Sequence, residues 1–300
     1  MTGRSPAGLA AAVVAVTVWG LGNVLARFID LSGPSLAFDR LWFGSFYCVA
    51  LVYAFRRPFG WEQIRRAAPG GIAFGLNISL FFTAVKLTSV TDATIIAALQ
   101  PALLLAVVNR LFGERVTWAV VTGTMVAFAG TALVVLGPGA GGKHAVLGDV
   151  LAVGALLSWA WYFVASKQAR RTMATLEYQA ALTIVAALVV TPVALINGSR
   201  LVGEWSTWGW VVLLATVPGG GHLLMNWAHA HVRLTVTSLL NLATPVVAMG
   251  GAALLLDERV GWIQVVGTAI VIGSLAAMIV GQRPVPPTAG VGVPADQGDA

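Results

Sequence analysis

The chain has 300 residues, 58% of them hydrophobic and only 10% charged, with a formal net charge of +6. Soluble domains are about 25% charged, so this composition excludes a water-soluble enzyme or binding domain. Nor does the positive balance point to nucleic acid, because Lys and Arg cluster at the ends of apolar runs, where membrane topology explains them.

Apolar runs of about 20 residues, long enough to cross a bilayer, recur along almost the whole chain. They predict ten spans, at residues 7–29, 35–55, 68–87, 91–112, 116–137, 147–167, 175–197, 207–229, 234–256 and 260–280. Residues 1–6 form a short N-terminal segment, and the polar Pro/Gly-rich tail 281–300 reads as disordered. The first run lacks a clear small-residue cleavage site and reads as a retained helix. The single Cys48 sits in an apolar run, so no internal disulfide forms. With the N-terminus in the cytoplasm, twelve Lys and Arg residues fall inside and six outside, Arg40 and Lys86 among the latter. The positive-inside rule therefore places both termini in the cytoplasm.

In chain order, the first span carries Trp19 and Asn23 at i,i+4, on one helix face. The third carries Asn77 and the Gly71-x-x-x-Gly75 pattern, a close-packing face within the bundle or in a homodimer. The fourth is interrupted by Pro101, preceded by Gln100 and followed by Glu114 at its end. Proline lacks an N–H and clashes with the carbonyl four residues back, so a kink there frees the carbonyl of Ala97. Gly137 to Lys143 imitates a phosphate-binding loop, but His144 stands where Mg²⁺ chemistry needs Ser or Thr. That segment, 138–146, reads as a linker, and no ATP or other cofactor is expected.

The sixth span offers Trp159 and Tyr162 at i,i+3. An aromatic wall with a few polar groups suits a small-molecule pocket; helix packing is the competing reading. The eighth carries His222, Asn226 and His229 at i, i+4 and i+7, a stripe that should face the bundle interior. His222 reads as a cavity residue or an interhelical hydrogen bond. With no Cys or acidic residue nearby, no metal site is expected. The ninth has Asn241, Thr244 and Pro245, with Glu258 at its end. Glu114 and Glu258 read as carboxylates at the N-terminus of the following helix, or as gating ion pairs.

Two copies of one unit run through this order. At a spacing of 144, Gly75 matches Gly219, Pro101 matches Pro245, Glu114-Arg115-Val116 matches Glu258-Arg259-Val260, and Trp118 matches Trp262. At a spacing of 140, Gly8 matches Gly148 and Trp19 matches Trp159. Each copy, 7–137 and 147–280, has five predicted spans, and an odd number inverts the second copy. Helix breaks at equivalent places in two inverted halves point to a transporter's binding site.

The motif Trp19-Gly20-Leu21-Gly22-Asn23, the Pro101 helix ending at Glu114, the Gly123/Gly130 helix and their copies around Pro245, Glu258 and Gly267 resemble EamA-type members of the drug/metabolite transporter superfamily. The resemblance spans about residues 7–280. It implies an all-α integral membrane protein of ten helices, and a central cavity lined by spans 1, 3, 4, 6, 8 and 9. The expected function is non-ATP secondary transport of small organic metabolites such as amino acids, often as export, with the substrate and the lipid bilayer as partners. The expected substrate-lining set is Trp19, Asn23, Asn77, Gln100, Trp159, Tyr162, His222, Asn226, Asn241 and Thr244. The alternatives are a membrane enzyme acting on lipids, for which no nucleophile–base cluster is visible, and a metabolite-sensing scaffold.

Overall fold

The computed structural model describes residues 5–25, 28–29, 31–87, 93, 96–135, 146–196, 198, 205–255 and 260–281. Glu258, most of the linker and the tail beyond Gly281 lie outside these residues. Among the described residues the structure is helical: α1 (Pro6–Leu25), α2 (Gly33–Ala54), α3 (Trp61–Leu87), α4 (Gln100–Phe112), α5 (Trp118–Val135), α6 (Val146–Ala169), α7 (Thr175–Ile196), α8 (Trp205–His231), α9 (Leu234–Leu240), α10 (Thr244–Leu255) and α11 (Trp262–Gly281).

Local chemistry sets several ends. Ser5 Oγ accepts the Gly8 N–H at 3.1 Å at the start of α1. Ser32 Oγ accepts the Ser35 N–H at 3.3 Å at the start of α2, where Pro34 occupies the first turn. Each satisfies an orphan donor of a helix N-terminus. Gly113 ends α4 with φ 66°, a left-handed conformation that glycine adopts without a Cβ clash.

Among the described residues, seven segments are long and apolar enough to cross a membrane: Pro6–Leu25, Pro34–Ala54, Trp118–Val135, Val146–Ala169, Thr175–Ile196, Thr207–His231 and Leu234–Leu255. α4 and Trp262–Met278 are shorter apolar helices. Val126, Val150, Leu157, Leu188, Val265 and Ile272 are exposed, while Gln100, Thr131, Ser166, Asn226 and Thr237 are buried. Apolar outside and polar inside is the arrangement a bilayer favours. The chain is an integral multi-pass membrane protein.

The halves interlock with exchanged partners. α1 packs on α8 while α3 packs on α6, and these are the same pair of positions taken from opposite copies. α2 packs on its counterpart α7, and α5 on its counterpart α11. Small residues bring these pairs together. A Cβ on Gly75 would lie 2.7 Å from Val189 Cβ and 2.9 Å from the Ala186 carbonyl of α7. The predicted glycine face is thus used inside the bundle, against α7. On α5 and α11, a Cβ on Gly130 would lie 2.9 Å from the Gly267 carbonyl, and one on Gly267 2.7 Å from the Gly130 carbonyl.

Each of the two prolines follows a local irregularity in the helical backbone. Residues 98–99 form a turn before α4, with the Leu99 N–H on Ile96 O at 3.1 Å. A single 3₁₀ turn, Asn241–Ala243, separates α9 from α10. Pro101 and Pro245 are each the second residue of the helix after the break. At Pro101 the missing N–H falls in the first turn after residues 98–99, whereas Pro245 sits in a helical segment that runs from Leu234 to Leu255 with one 3₁₀ turn inside it.

Candidate functional site

The two breaks face each other across a central cavity of about 260 Å³. Ala97 and Ala98 line it from one break, and Asn241, Leu242, Thr244 and Pro245 from the other. α1 contributes Trp19, Gly22 and Asn23; α3 contributes Phe74 and Asn77; α6 contributes Ala155 and Trp159; α8 contributes Pro218 and His222. Both copies therefore build the wall.

Side chains from α1 and α3 are tied to backbone on their exchanged partners. Trp19 Nε1 donates to Pro218 O at 3.2 Å, and Asn77 Nδ2 to Ala155 O at 2.9 Å. Both bonds fix the wall between copies. Trp19 meets Trp159 edge-on at 5.7 Å and His222 at 4.7 Å between centroids, and His222 lies 4.7 Å from Phe74. These contacts form one aromatic surface with the geometry that ring quadrupoles prefer.

Of the expected lining residues, Trp19, Asn23, Asn77, Trp159, His222, Asn241 and Thr244 surround this cavity, whereas Gln100, Tyr162 and Asn226 do not. Tyr162 is fully buried behind the wall, stacked on Trp159 at 5.0 Å and Phe74 at 5.1 Å. Its hydroxyl lies 3.4 Å from both His222 Nδ1 and Asn226 Oδ1. Asn226 is buried one turn below His222 and donates to Gln179 Oε1 at 2.7 Å. Gln100 is fully buried away from the cavity. The α8 stripe is thus split by depth: His222 reaches the cavity, while Asn226 and His229 are sealed beneath it. Conversely, Arg40 lines the cavity from α2, a helix absent from the expected set. It sits two turns into α2, within the predicted span 35–55, and that depth was its signal.

Among the described residues the two ends of the cavity differ. Asn23, near the C-terminal end of α1, both lines the cavity and is exposed. At the opposite end, Glu114 Oε1 accepts the Leu234 N–H at 2.7 Å, and Oε2 accepts the Thr235 N–H at 3.0 Å and the Thr235 hydroxyl at 2.6 Å. Lys167 Nζ lies 3.8 Å from Glu114 and donates to His229 O and Val232 O at 3.2 and 2.6 Å. Arg170 Nε donates to Asn226 O at 3.1 Å, and Ser166 and Tyr178 share a hydrogen bond of 2.8 Å. Burial lowers the Arg170 guanidinium to about 10, which leaves it charged near neutral pH.

Glu114 therefore caps no helix of its own half. The turn at Gly113 carries it across to α9, where it is both cap and ion-pair partner. Its expected copy, Glu258, lies outside the described residues.

A larger cleft, about 510 Å³, is lined by Leu51, Phe55, Leu176, Leu223 and Trp227 among others. It is almost wholly apolar and lacks the convergent polar groups that orient a solute.

Two interlocked repeats around one shared cavity define the class, a two-repeat multi-pass membrane bundle. The EamA-like transporter family matches the chain over residues 6–136 and 146–280, one match per repeat. The chain belongs to that family, within the drug/metabolite transporter superfamily. A solved structure described only as the crystal structure of a protein is similar over 92% of this chain and 98% of its own, with a TM-score of 0.78 and 22% identity. That likeness concerns the fold alone. No curated protein matches the sequence.

Proposed function

We propose that the chain is a secondary transporter of small organic metabolites, working without ATP by alternating access around the central cavity. The observation that carries this reading is a cavity walled by both repeats, with Asn23 exposed toward one end and polar bonds that cross between repeats at the other. Two inverted units can exchange conformations, turning an opening on one face into an opening on the other.

In this reading the bundle crosses the membrane ten times, with both termini in the cytoplasm. The Glu114–Lys167–α9 latch then lies on the cytoplasmic side, and the cavity opens outward. That state is suited to the release step of an exporter. Trp19, Trp159 and Phe74 would hold the apolar part of a substrate, while Asn23, Asn77, Asn241 and Thr244 orient its polar part. Transition to the inward-open state requires Glu114 to leave the α9 N-terminus. Hydrogen bonds to a charged group contribute roughly 1.5–3 kcal/mol each, enough to hold one state yet within reach of a substrate's binding energy.

The test is an untargeted comparison of medium and cell contents with and without overexpression, followed by flux of the compound that moves in proteoliposomes. Outward movement that is lost with Asn77→Ala supports export through this cavity. Unchanged flux in a correctly folded Asn77→Ala protein counts against it.

A further inference from the structure

Among the described residues the cavity wall carries a single formal positive charge and no formal negative one. Arg40 lines both the central cavity and a second, small cavity of about 30 Å³ on the side of α7 and α8, with Phe74 and His222 shared between the two. Among the described residues no Asp or Glu lines either space. Asp39, next in the chain, is buried but lines neither. Among the described residues no carboxylate lies within ion-pair distance of Arg40, whereas Arg65, Arg66 and Lys167 all have one.

A charged side chain within a membrane bundle is expensive, and it is retained where it serves a pathway or a ligand. Arg40 is not spent on internal pairing, and it sits beside the aromatic surface formed by Trp19, Phe74 and Trp159. We infer that Arg40 recognises the acidic group of the substrate, and that the substrate is a small organic carboxylate with an apolar or aromatic body. The inference rests on the reading of this cavity as the substrate site.

The chemistry narrows the ligand class. A guanidinium presents a planar fork that matches one carboxylate in a bidentate pair. A phosphate dianion would bring a second charge that this wall does not balance. A cationic ligand would meet Arg40 with no counter-charge. The volume of about 260 Å³ lies just below the usual range for ligand pockets, so the body is limited to about one ring or a short branched chain. The neutral amides and the Thr244 hydroxyl set the orientation.

The test uses the full chain in lipid nanodiscs and calorimetric titration with three probes of one shape: phenylacetate, phenylacetamide and phenethylamine. Phenylacetate should bind about tenfold tighter than the amide, the worth of a charge-assisted pair, and phenethylamine should bind weakest. Arg40→Gln should remove the preference for the acid while leaving the amide's affinity in place, and Arg40→Lys should keep part of it. Equal binding of acid and amide by the unaltered chain would overturn the inference. So would a preference that survives Arg40→Gln, or failure of phenylacetate to bind at millimolar concentration. Because the acid–amide ratio is read on the unaltered chain, the inference stays falsifiable even if a variant misfolds. Binding that depends on Arg40 without flux in proteoliposomes would overturn the transport reading and leave this recognition site standing.

Discussion

Asn226 shows how depth along one helix face changes a residue's role. It shares a face with His222, yet its amide is consumed by Gln179, and the Tyr162 hydroxyl sits beside it. Asn226→Ala strands buried polar groups on two other helices, at about 1–3 kcal/mol. The thermal midpoint in detergent should fall accordingly. Asn77→Ala removes only a bond to the Ala155 carbonyl at the cavity wall, so it should affect transport more than stability. A melting curve for Asn226→Ala that overlays the parent's would show that this buried network is not formed. Helical periodicity groups His222, Asn226 and His229 on one face, but it cannot say which residues on a face stop short of a cavity. Tyr162 stops short of the cavity in the same way, whereas Gln100, read from its place before Pro101, is buried outside the cavity lining. Arg40 was hidden differently: counting cations by side treats every Arg as a topology marker, even one two turns inside its span.

At the scale of elements, the helices and their breaks were legible because their signals are local. Long apolar runs and the two prolines act within a turn or two; Ser5, Ser32 and Gly113 are equally local, but only the structure singled them out. What a helix end touches across the bundle is not local. Glu114 finds the α9 N-terminus 120 residues away, and nothing in its own neighbourhood encodes that partner. Close helix pairs give a sharp test of the packing. Gly75→Ala would push a Cβ into Val189 and the Ala186 carbonyl, whereas nothing lies within 4 Å of a Cβ at Gly250. The first should destabilise the protein by about 1–3 kcal/mol. The second should be neutral, or stabilising by up to about 1 kcal/mol through helix propensity. Thermal unfolding of the two variants side by side reads the difference, and equal midpoints would contradict the α3–α7 contact.

At the scale of the whole molecule, the repeat foreshadowed a symmetric architecture, and the packing has that form: α1 on α8 answers α3 on α6, with α2 on α7 and α5 on α11 as self-matched pairs. On the proposed alternating-access reading, the Glu114–Lys167–α9 latch selects one state of this symmetric object. Weakening it should move the population toward opening at the latched end. Cys48 is the single cysteine, so a Cys48→Ala background permits one reporter, Leu156→Cys, in the cavity wall. Labelling it with a membrane-impermeant maleimide in right-side-out and inside-out vesicles reads access from each face. The expected result is labelling mainly from the outer face with Glu114 in place, and about tenfold faster labelling from the cytoplasmic face with Glu114→Gln, the effect of losing one charge-assisted contact. A cavity reached from one face alone, at rates indifferent to Glu114→Gln, would contradict alternating access through this site.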